Sequence, residues 1–334
     1  MRGIRVRVET LLMKAILRRR YGPPDVLAYE ETAPPAPGAD DVLVNIRAAS
    51  VNPRDWHFTK GEPYFIRMMT GLREPKDVRL GTDLAGEVAV VGANVKRFKP
   101  GDGVFGWCTG AFAECACTAE RTLAMKPVNV TFEQASSVAT AGLTALQGLR
   151  NQGRIQAGEK VLINGAAGGI GTFAVQIAKS FGADVTGVCS AANADLVRSI
   201  GAGHVVDYTR EDFTESAGRY DLILDCIGNH SLSAVRRVLT PKGRYVCVGG
   251  RSGRWMIGAL ARAITAPLLS RFVSQQLVMM MARGSTDDLV FIGDLLKAGT
   301  VRPVIDRRYP LREVPGAIRY LGQGHARGKV VITI

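Results

Sequence analysis

No run of about twenty apolar residues free of charge occurs in this 334-residue chain, so the sequence offers no membrane-spanning helix. The nearest approach, Trp255 to Leu269, is broken by Arg262 and Pro267. It reads as a helical hairpin covering a sheet or an apolar pocket, with peripheral membrane contact as the alternative. Histidine is scarce: four residues, dispersed. The six cysteines, at 108, 115, 117, 189, 226 and 247, have no paired metal-ligand spacing. They form no disulfide pattern either, which fits a reducing cytoplasm. A long basic run is also missing, although the formal net charge is +13. With no nucleic-acid-binding motif in view, that charge reads as a basic surface attracting anionic cofactors, and no nucleic-acid partner is expected. The first twelve residues, MRGIRVRVETLL, lack the apolar core of a signal peptide. They carry +2 of the charge and read as a disordered extension ahead of a natural start at Met13.

The chain does contain VLINGAAGGIGTFAVQIAKSFGADVTGVCS, Val161 to Ser190. An apolar strand (Val161 to Ile163) runs into a turn holding Gly165, Gly168, Gly169 and Gly171. Apolar positions at Phe173, Val175, Ile177 and Ala178 then mark a helix, and Val185 to Cys189 a second strand. Strand, glycine turn, helix, strand is the context in which such a turn holds a dinucleotide. The backbone of Gly165, Ala167, Gly168, Gly169 and Ile170 would approach the pyrophosphate, which the helix N-terminus favours. An NAD site places Asp or Glu at the tip of the second strand. Here the tip reads Ser190-Ala191-Ala192-Asn193, with no acid, which favours NADP(H). No arginine or lysine stands there either, so Ser190, Asn193 and Tyr208 would supply the hydrogen bonds.

Before Val161 the chain is rich in short strands and turns: Val42 to Ala48, Gly86 to Val91, and the turn Lys99-Pro100-Gly101-Asp102. After it, strands and helices alternate. Asp221 to Asp225 is a strand and Ser231 to Leu239 a helix. The turn Pro241-Lys242-Gly243 precedes the strand Arg244 to Val248, and Leu277 to Ala282 is a further strand. Asp287 to Lys297 is an amphipathic helix, and Lys329 to Ile334 a final strand. The alternation predicts an α/β chain with a doubly wound parallel sheet.

Many segments in order resemble one family: YGPPDVL near the start, SVNPRDWHFTKG at 50–61, LGTDLAGEVAVVG at 80–92, FKPGDGVFG at 98–106, GAFAEC at 110–115, ATAGLTALQGL at 139–149, DLILDCIG at 221–228, RYVCVGG at 244–250 and GHARGKVVI at 324–332. The chain resembles the zinc-independent medium-chain dehydrogenases/reductases of the quinone oxidoreductase type, near the branch of the mitochondrial reticulon-interacting protein. The resemblance implies a GroES-like β-barrel domain (13–137 and 284–334) and an inserted Rossmann NADP(H)-binding domain (138–283), with the final strand returning to the barrel. It implies hydride transfer from NADPH to a quinone or an α,β-unsaturated carbonyl. A zinc-free alcohol or carbonyl dehydrogenase, and a nucleotide-binding protein without turnover, are the alternatives. A homodimer is expected, with Leu277 to Ala282 pairing across a two-fold axis.

The resemblance also bears on metal. Where zinc-dependent relatives have a first cysteine ligand, this chain has Asn52, and where they have Gly-His-Glu it has Gly81-Thr82-Asp83. No metal is therefore expected. Without a Lewis acid, activated acceptors such as quinones and enones are favoured over simple ketones. Asn52 is the candidate contact for the substrate carbonyl or the nicotinamide ribose, or else a turn cap. Tyr64 is a candidate proton donor, and Asp55 a catalytic or loop-anchoring acid. Asp83 would support the pocket. Thr140, Ile227, Gly228, Val248, Gly249 and Gly250 would face the cofactor, and Arg327 and Lys329 would reach it from the tail. The 56–73 loop and the 251–276 segment would line the acceptor pocket.

Overall fold

The computed structural model describes residues 12–249, 265 and 273–334. Residues 1–11, Gly250, the Trp255–Leu269 segment apart from Thr265, and most of the 251–276 segment lie outside this set.

The chain opens with an antiparallel ribbon, β1 (Met13–Arg18) on β2 (Leu27–Thr32). The first large sheet contains β3 (Asp41–Val51), β4 (Asp83–Val91), β5 (Gly103–Trp107), β6 (Cys115–Ala119) and β7 (Leu123–Met125), all antiparallel. In β3, Val42, Val44 and Ile46 are buried while Asn45 and Arg47 are exposed, the alternation of a half-buried strand. From Ala48 onward every residue to Asn52 is buried. That end of β3 therefore carries Ser50 and Asn52 into the interior. Helices α1 (Pro53–Lys60) and α2 (Phe65–Thr70) lie between β3 and β4.

Helices α3 (Phe132–Ser136) and α4 (Ala139–Leu146) lead into the second sheet. Its elements are β8 (Lys160–Asn164), α5 (Gly169–Ser180), β9 (Asp184–Cys189), α6 (Ala194–Ser199), β10 (His204–Asp207), β11 (Tyr220–Asp225), α7 (Leu232–Arg237), β12 (Leu239–Cys247) and β13 (Gln276–Met279). All strands are parallel in the order β10-β9-β8-β11-β12-β13. This is the doubly wound Rossmann order, and its ligand crevice lies where the order reverses, at the carboxyl ends of β8 and β11. The expected turn Pro241-Lys242-Gly243 is instead a bulge inside β12: Leu239 pairs with Tyr220, and regular pairing resumes at Arg244. The expected strand at 277–282 ends at Met279, and Met281 is exposed.

After α8 (Thr286–Lys297), β14 (Ile305–Pro310) and α9 (Val314–Gly322), the final strand β15 (Lys329–Thr333) pairs antiparallel with β3 and parallel with β14. The tail thus returns to the first sheet. It does so beside the buried end of β3, with Val330 opposite Val51. One core packs α5 residues Phe173, Val175 and Ile177 with Val161 and Ile163 of β8. Each such side chain contributes roughly 1.5–3 kcal/mol by leaving water. The glycine turn is therefore held between two firmly packed elements.

Candidate active site

The turn after β8 is built for close approach. Gly165 has φ +84°, a left-handed backbone that favours glycine. The N–H groups of Gly165 and Ala166 donate to the Val188 carbonyl at 3.1 and 3.0 Å. A Cβ on Gly171 would sit 2.1 Å from the Gly165 carbonyl oxygen, so the helix reaches the strand only without a side chain there. Gly168 is the N-cap of α5, and no side chain caps that end. The first N–H groups have no carbonyl of their own helix to bond. With Gly169 and Ile170 they form an anion-binding end of the kind a pyrophosphate occupies. Ala167, on the same turn, accepts from the N–H of Gly328 at 2.8 Å, so the tail docks on the turn.

At the tip of β9, Asn193 Nδ2 donates to Ser190 Oγ at 3.2 Å, while Asn193 Oδ1 is buried without a hydrogen-bond partner. Tyr208, 59% exposed, follows β10 beside this tip, and its N–H bonds to the Cys189 carbonyl. The absence of an acid is true of β9 itself but not of the space around it. Asp207 at the end of β10 accepts from the Ala191 N–H at 3.1 Å and from the Thr209 N–H and hydroxyl at 3.0 and 2.8 Å. These donors, the Thr209 amide foremost, hold its carboxyl below the usual range, with Arg210 adding to the effect.

The ends of β11 and β12 are organised by Asp225, which is fully buried. Its Oδ1 accepts from Asn164 Nδ2 and from the Ile227 and Gly228 N–H groups at 2.8, 3.0 and 2.8 Å. Its Oδ2 accepts from the Tyr245 hydroxyl at 2.8 Å. Val248 and Gly249 donate to its backbone carbonyl at 2.9 and 3.3 Å. One residue therefore shapes both loops facing the crevice, the first through its carboxylate and the second through its backbone carbonyl. Burial pushes the Cys226 thiol well above its ordinary range, which leaves it a poor nucleophile.

Across the crevice, the buried Asn52, Asp55, Asp83 and Lys329 and the half-buried Thr140 form one polar knot. Lys329 is 3% exposed. Its Nζ donates to Asn52 Oδ1 at 2.6 Å and lies 3.7 Å from Asp83 Oδ2. Burial pulls its ammonium below the usual range. Its stem passes the glycine turn: a Cβ on Gly169 would meet Lys329 Cδ at 3.2 Å. Asp83 also accepts from Asn52 Nδ2 at 3.1 Å, Ser50 Oγ at 3.2 Å, and the Thr140 N–H and hydroxyl at 3.1 and 2.5 Å. The Asn52 amide gives its second N–H to the Ser50 carbonyl at 3.4 Å. Both of its donor positions are thus used, leaving one lone pair on Oδ1. Asp55 Oδ2 accepts the Asn52 N–H at 2.8 Å, capping α1. Burial raises the Asp55 carboxyl to about 7. This geometry lets Asp55 anchor the start of α1.

Tyr64 precedes α2 and lies under the Arg67 guanidinium, 5.2 Å from the ring centroid. Arg327 is exposed, and its N–H is held by Asp306 at 3.0 Å. Among the described residues, no three His, Cys, Asp or Glu side chains cluster as metal ligands would, and no helix is long and apolar enough to cross a membrane.

Comparison with known proteins decides the family. Residues 38–148 match the "Alcohol dehydrogenase GroES-like domain" family and residues 200–332 the "Zinc-binding dehydrogenase" family. The chain is 32% identical over 361 residues to mouse (Mus musculus) NAD(P)H oxidoreductase RTN4IP1, mitochondrial, covering 98% of this chain and 90% of that one. The quinone oxidoreductase from Coxiella burnetii is similar in structure: TM-score 0.83, 30% identity, covering 97% of this chain and 100% of that one. The Escherichia coli quinone oxidoreductase complexed with NADPH gives TM-score 0.83 at 25% identity over 96% and 100%. The chain belongs to the medium-chain dehydrogenase/reductase family. It is an oxidoreductase of the quinone oxidoreductase type, with a GroES-like domain and a Rossmann domain.

As a member of that family, the chain has site residues that its sequence does not reveal. Asp225 gives one signal, an acid closing the apolar run Leu222 to Leu224. Asp207 gives none, because its place beside the tip depends on β10 pairing with β9. The Lys329–Asn52 contact joins residues 277 positions apart, and no local pattern announces it.

Proposed function

We propose that this medium-chain dehydrogenase/reductase is a zinc-free, NADPH-dependent reductase of quinones or α,β-unsaturated carbonyls. The carrying observation is the buried ammonium of Lys329, 2.6 Å from Asn52 Oδ1 and 3.7 Å from Asp83 Oδ2. Asn52 and Asp83 stand in the stretches where zinc-dependent relatives would place metal ligands. An amide, a carboxylate shared among four donor groups and a cation at contact distance do not fit a zinc ion, which takes thiolate, imidazole or free carboxylate. The protein's own cation stands beside the carboxylate there.

The residues fit NADP(H). The open N-terminus of α5 and the cradle at Gly171 suit the pyrophosphate. The unpartnered Asn193 Oδ1 marks a position at the β9 tip that lacks a ligand atom. Turning the Asn193 amide by half a turn would let Ser190 donate to Oδ1 and aim Nδ2 at a phosphate oxygen. When bound, NADPH supplies the hydride. The chain orients the acceptor, excludes water and places the proton. In this proposal the free lone pair of Asn52 Oδ1 receives a ribose hydroxyl, and Thr140 carries the knot into α4. Ile227, Gly228, Val248 and Gly249 wall the nicotinamide side, and Arg327 borders the cofactor from the tail. Tyr64 supplies the proton. The domains divide at 137/138 and 283/284. β13, the last strand of its sheet, pairs with its copy in a homodimer, and the free thiols fit a reducing cytoplasm.

The test is the initial rate of NADPH oxidation with an ortho-quinone after EDTA treatment, with NADH in parallel. Turnover that survives EDTA and prefers NADPH is expected. Activity lost to EDTA and restored by zinc would overturn the metal-free reading. A preference for NADH would overturn the reading of the tip.

A further inference from the structure

Helix α2 and the turn after it have inverted polarity. Phe65, Met68, Met69 and Leu72 are exposed to 47%, 75%, 76% and 72%. Phe65, Met68 and Met69 recur at helical spacing and share one face of α2, and Leu72 lies in the turn after it. The polar residues of the same segment face inward. Thr70 Oγ1 bonds the Tyr21 hydroxyl at 2.7 Å, and that hydroxyl donates to the Gly71 carbonyl at 2.7 Å. Arg67 Nε donates to the Gly61 carbonyl at 3.0 Å, and its guanidinium stacks on Tyr21 and Tyr64. Ile66, 7% exposed, is the segment's apolar foothold in the core. The outward apolar face is therefore pinned in place. Exposed apolar groups gathered this way mark an interaction surface.

The charges around it say what it meets. Between Pro63 and Lys76 the exposed charged residues are Arg73, Glu74 and Lys76, a net positive rim. The chain as a whole carries +13. An apolar face of Phe, Met and Leu with a basic border suits the interface of an anionic bilayer, where the side chains enter the acyl boundary and the cations meet lipid phosphates.

We infer that α2 and its following turn dock this protein peripherally on anionic membranes. The segment joins directly to α1, which Asn52 and Asp55 begin. Docking would thus hold the reductase where apolar acceptors dissolve; that consequence rests on the proposed quinone or enone chemistry, whereas the docking does not.

The test is flotation of the full chain with phosphatidylcholine vesicles, with and without phosphatidylserine. The expected result is binding to the anionic vesicles, weakened by salt. M68S/M69S/L72S lowers the bound fraction by at least about tenfold. R73Q/K76Q lowers it roughly tenfold. Val128→Ser, at an exposed site in another loop (96%), leaves it unchanged. NADPH-induced thermal stabilisation checks that each variant is folded. No flotation of the native chain, equal flotation of the triple variant, or a triple variant that loses a dimer by light scattering would each overturn the proposal. Absence of turnover with a soluble quinone would instead sink the functional reading and leave the flotation result standing.

Discussion

Two regions meet at the crevice, and they are encoded differently. The glycine turn is written in consecutive residues: strand, turn and helix follow one another from Lys160 to Ser180. The knot collects Asn52, Asp55, Asp83, Thr140 and Lys329 from the junction after β3, α1, β4, α4 and β15. The turn depends on the absence of atoms, because its glycines leave room for a ligand. The knot depends on the presence of charge, because its buried carboxylates require a buried cation.

The most damaging way to break the comparison is to remove that cation. Lys329→Met leaves Asp83 and Asp55 buried without it. Stripping one partner from a buried ionic cluster costs about 3–5 kcal/mol. The expected result is a large fall in the denaturation midpoint at neutral pH, smaller in acid, where the Asp55 carboxyl is protonated. D83N/K329M should recover much of the loss. An additive double variant would show that the two side chains do not act as a pair.

Asp55 gives a pH test of the same knot. Its folded carboxyl is raised to about 7 from an ordinary value of 3.8. Folding therefore favours the protonated form. Its contribution is fully present below the unfolded value and is lost as pH rises toward and through 7. Asp55→Asn keeps an acceptor for the Asn52 N–H and cannot ionise. The native chain should lose stability relative to this variant, on the order of a few kcal/mol, between pH 4 and about pH 7. Parallel pH–stability curves for the two proteins would contradict it.

The turn should break locally. A methyl at Gly171 meets the Gly165 carbonyl oxygen at 2.1 Å. Gly171→Ala should cost about 1–3 kcal/mol by overpacking and lose most NADPH affinity, measured by nucleotide fluorescence. Normal affinity in the variant would mean that the helix need not approach the strand so closely.

Legibility followed the same division. Local patterns carry β8, α5 and β9, because apolar spacing and glycine restrict the backbone within a few residues. They also carry α8, whose cap Ser285 accepts from the Asp288 N–H at 3.2 Å. The start of β12 is not legible locally, because Pro241 and Gly243 signal a turn, yet pairing tolerates them as a bulge. Asn52, Asp55, Asp83, Thr140 and Lys329 could each be singled out, but not their mutual contacts. Those contacts exist because β15 pairs with β3, a long-range event that no residue spacing predicts. Asp207 escaped notice for the same reason.

The smallest expected effect concerns the tip of β9, where local and distant residues meet. Ser190 and Asn193 belong to the strand's own continuation, while Asp207 arrives by pairing. Asp207 directs Oδ1 at three donors, so much of its charge is committed to the turn. The Asn193 amide is the less committed group. Asn193→Asp places a carboxylate where Oδ1 now lacks a partner, a position suited to accept from a ribose 2′-hydroxyl and to repel a 2′-phosphate. The ratio of kcat/KM for NADPH over NADH should fall by roughly tenfold, about 1.4 kcal/mol. An unchanged ratio would move the 2′-phosphate away from Asn193 toward Tyr208 and Arg210. The choice of cofactor would then belong with the knot, among features set by strand pairing rather than by neighbouring residues.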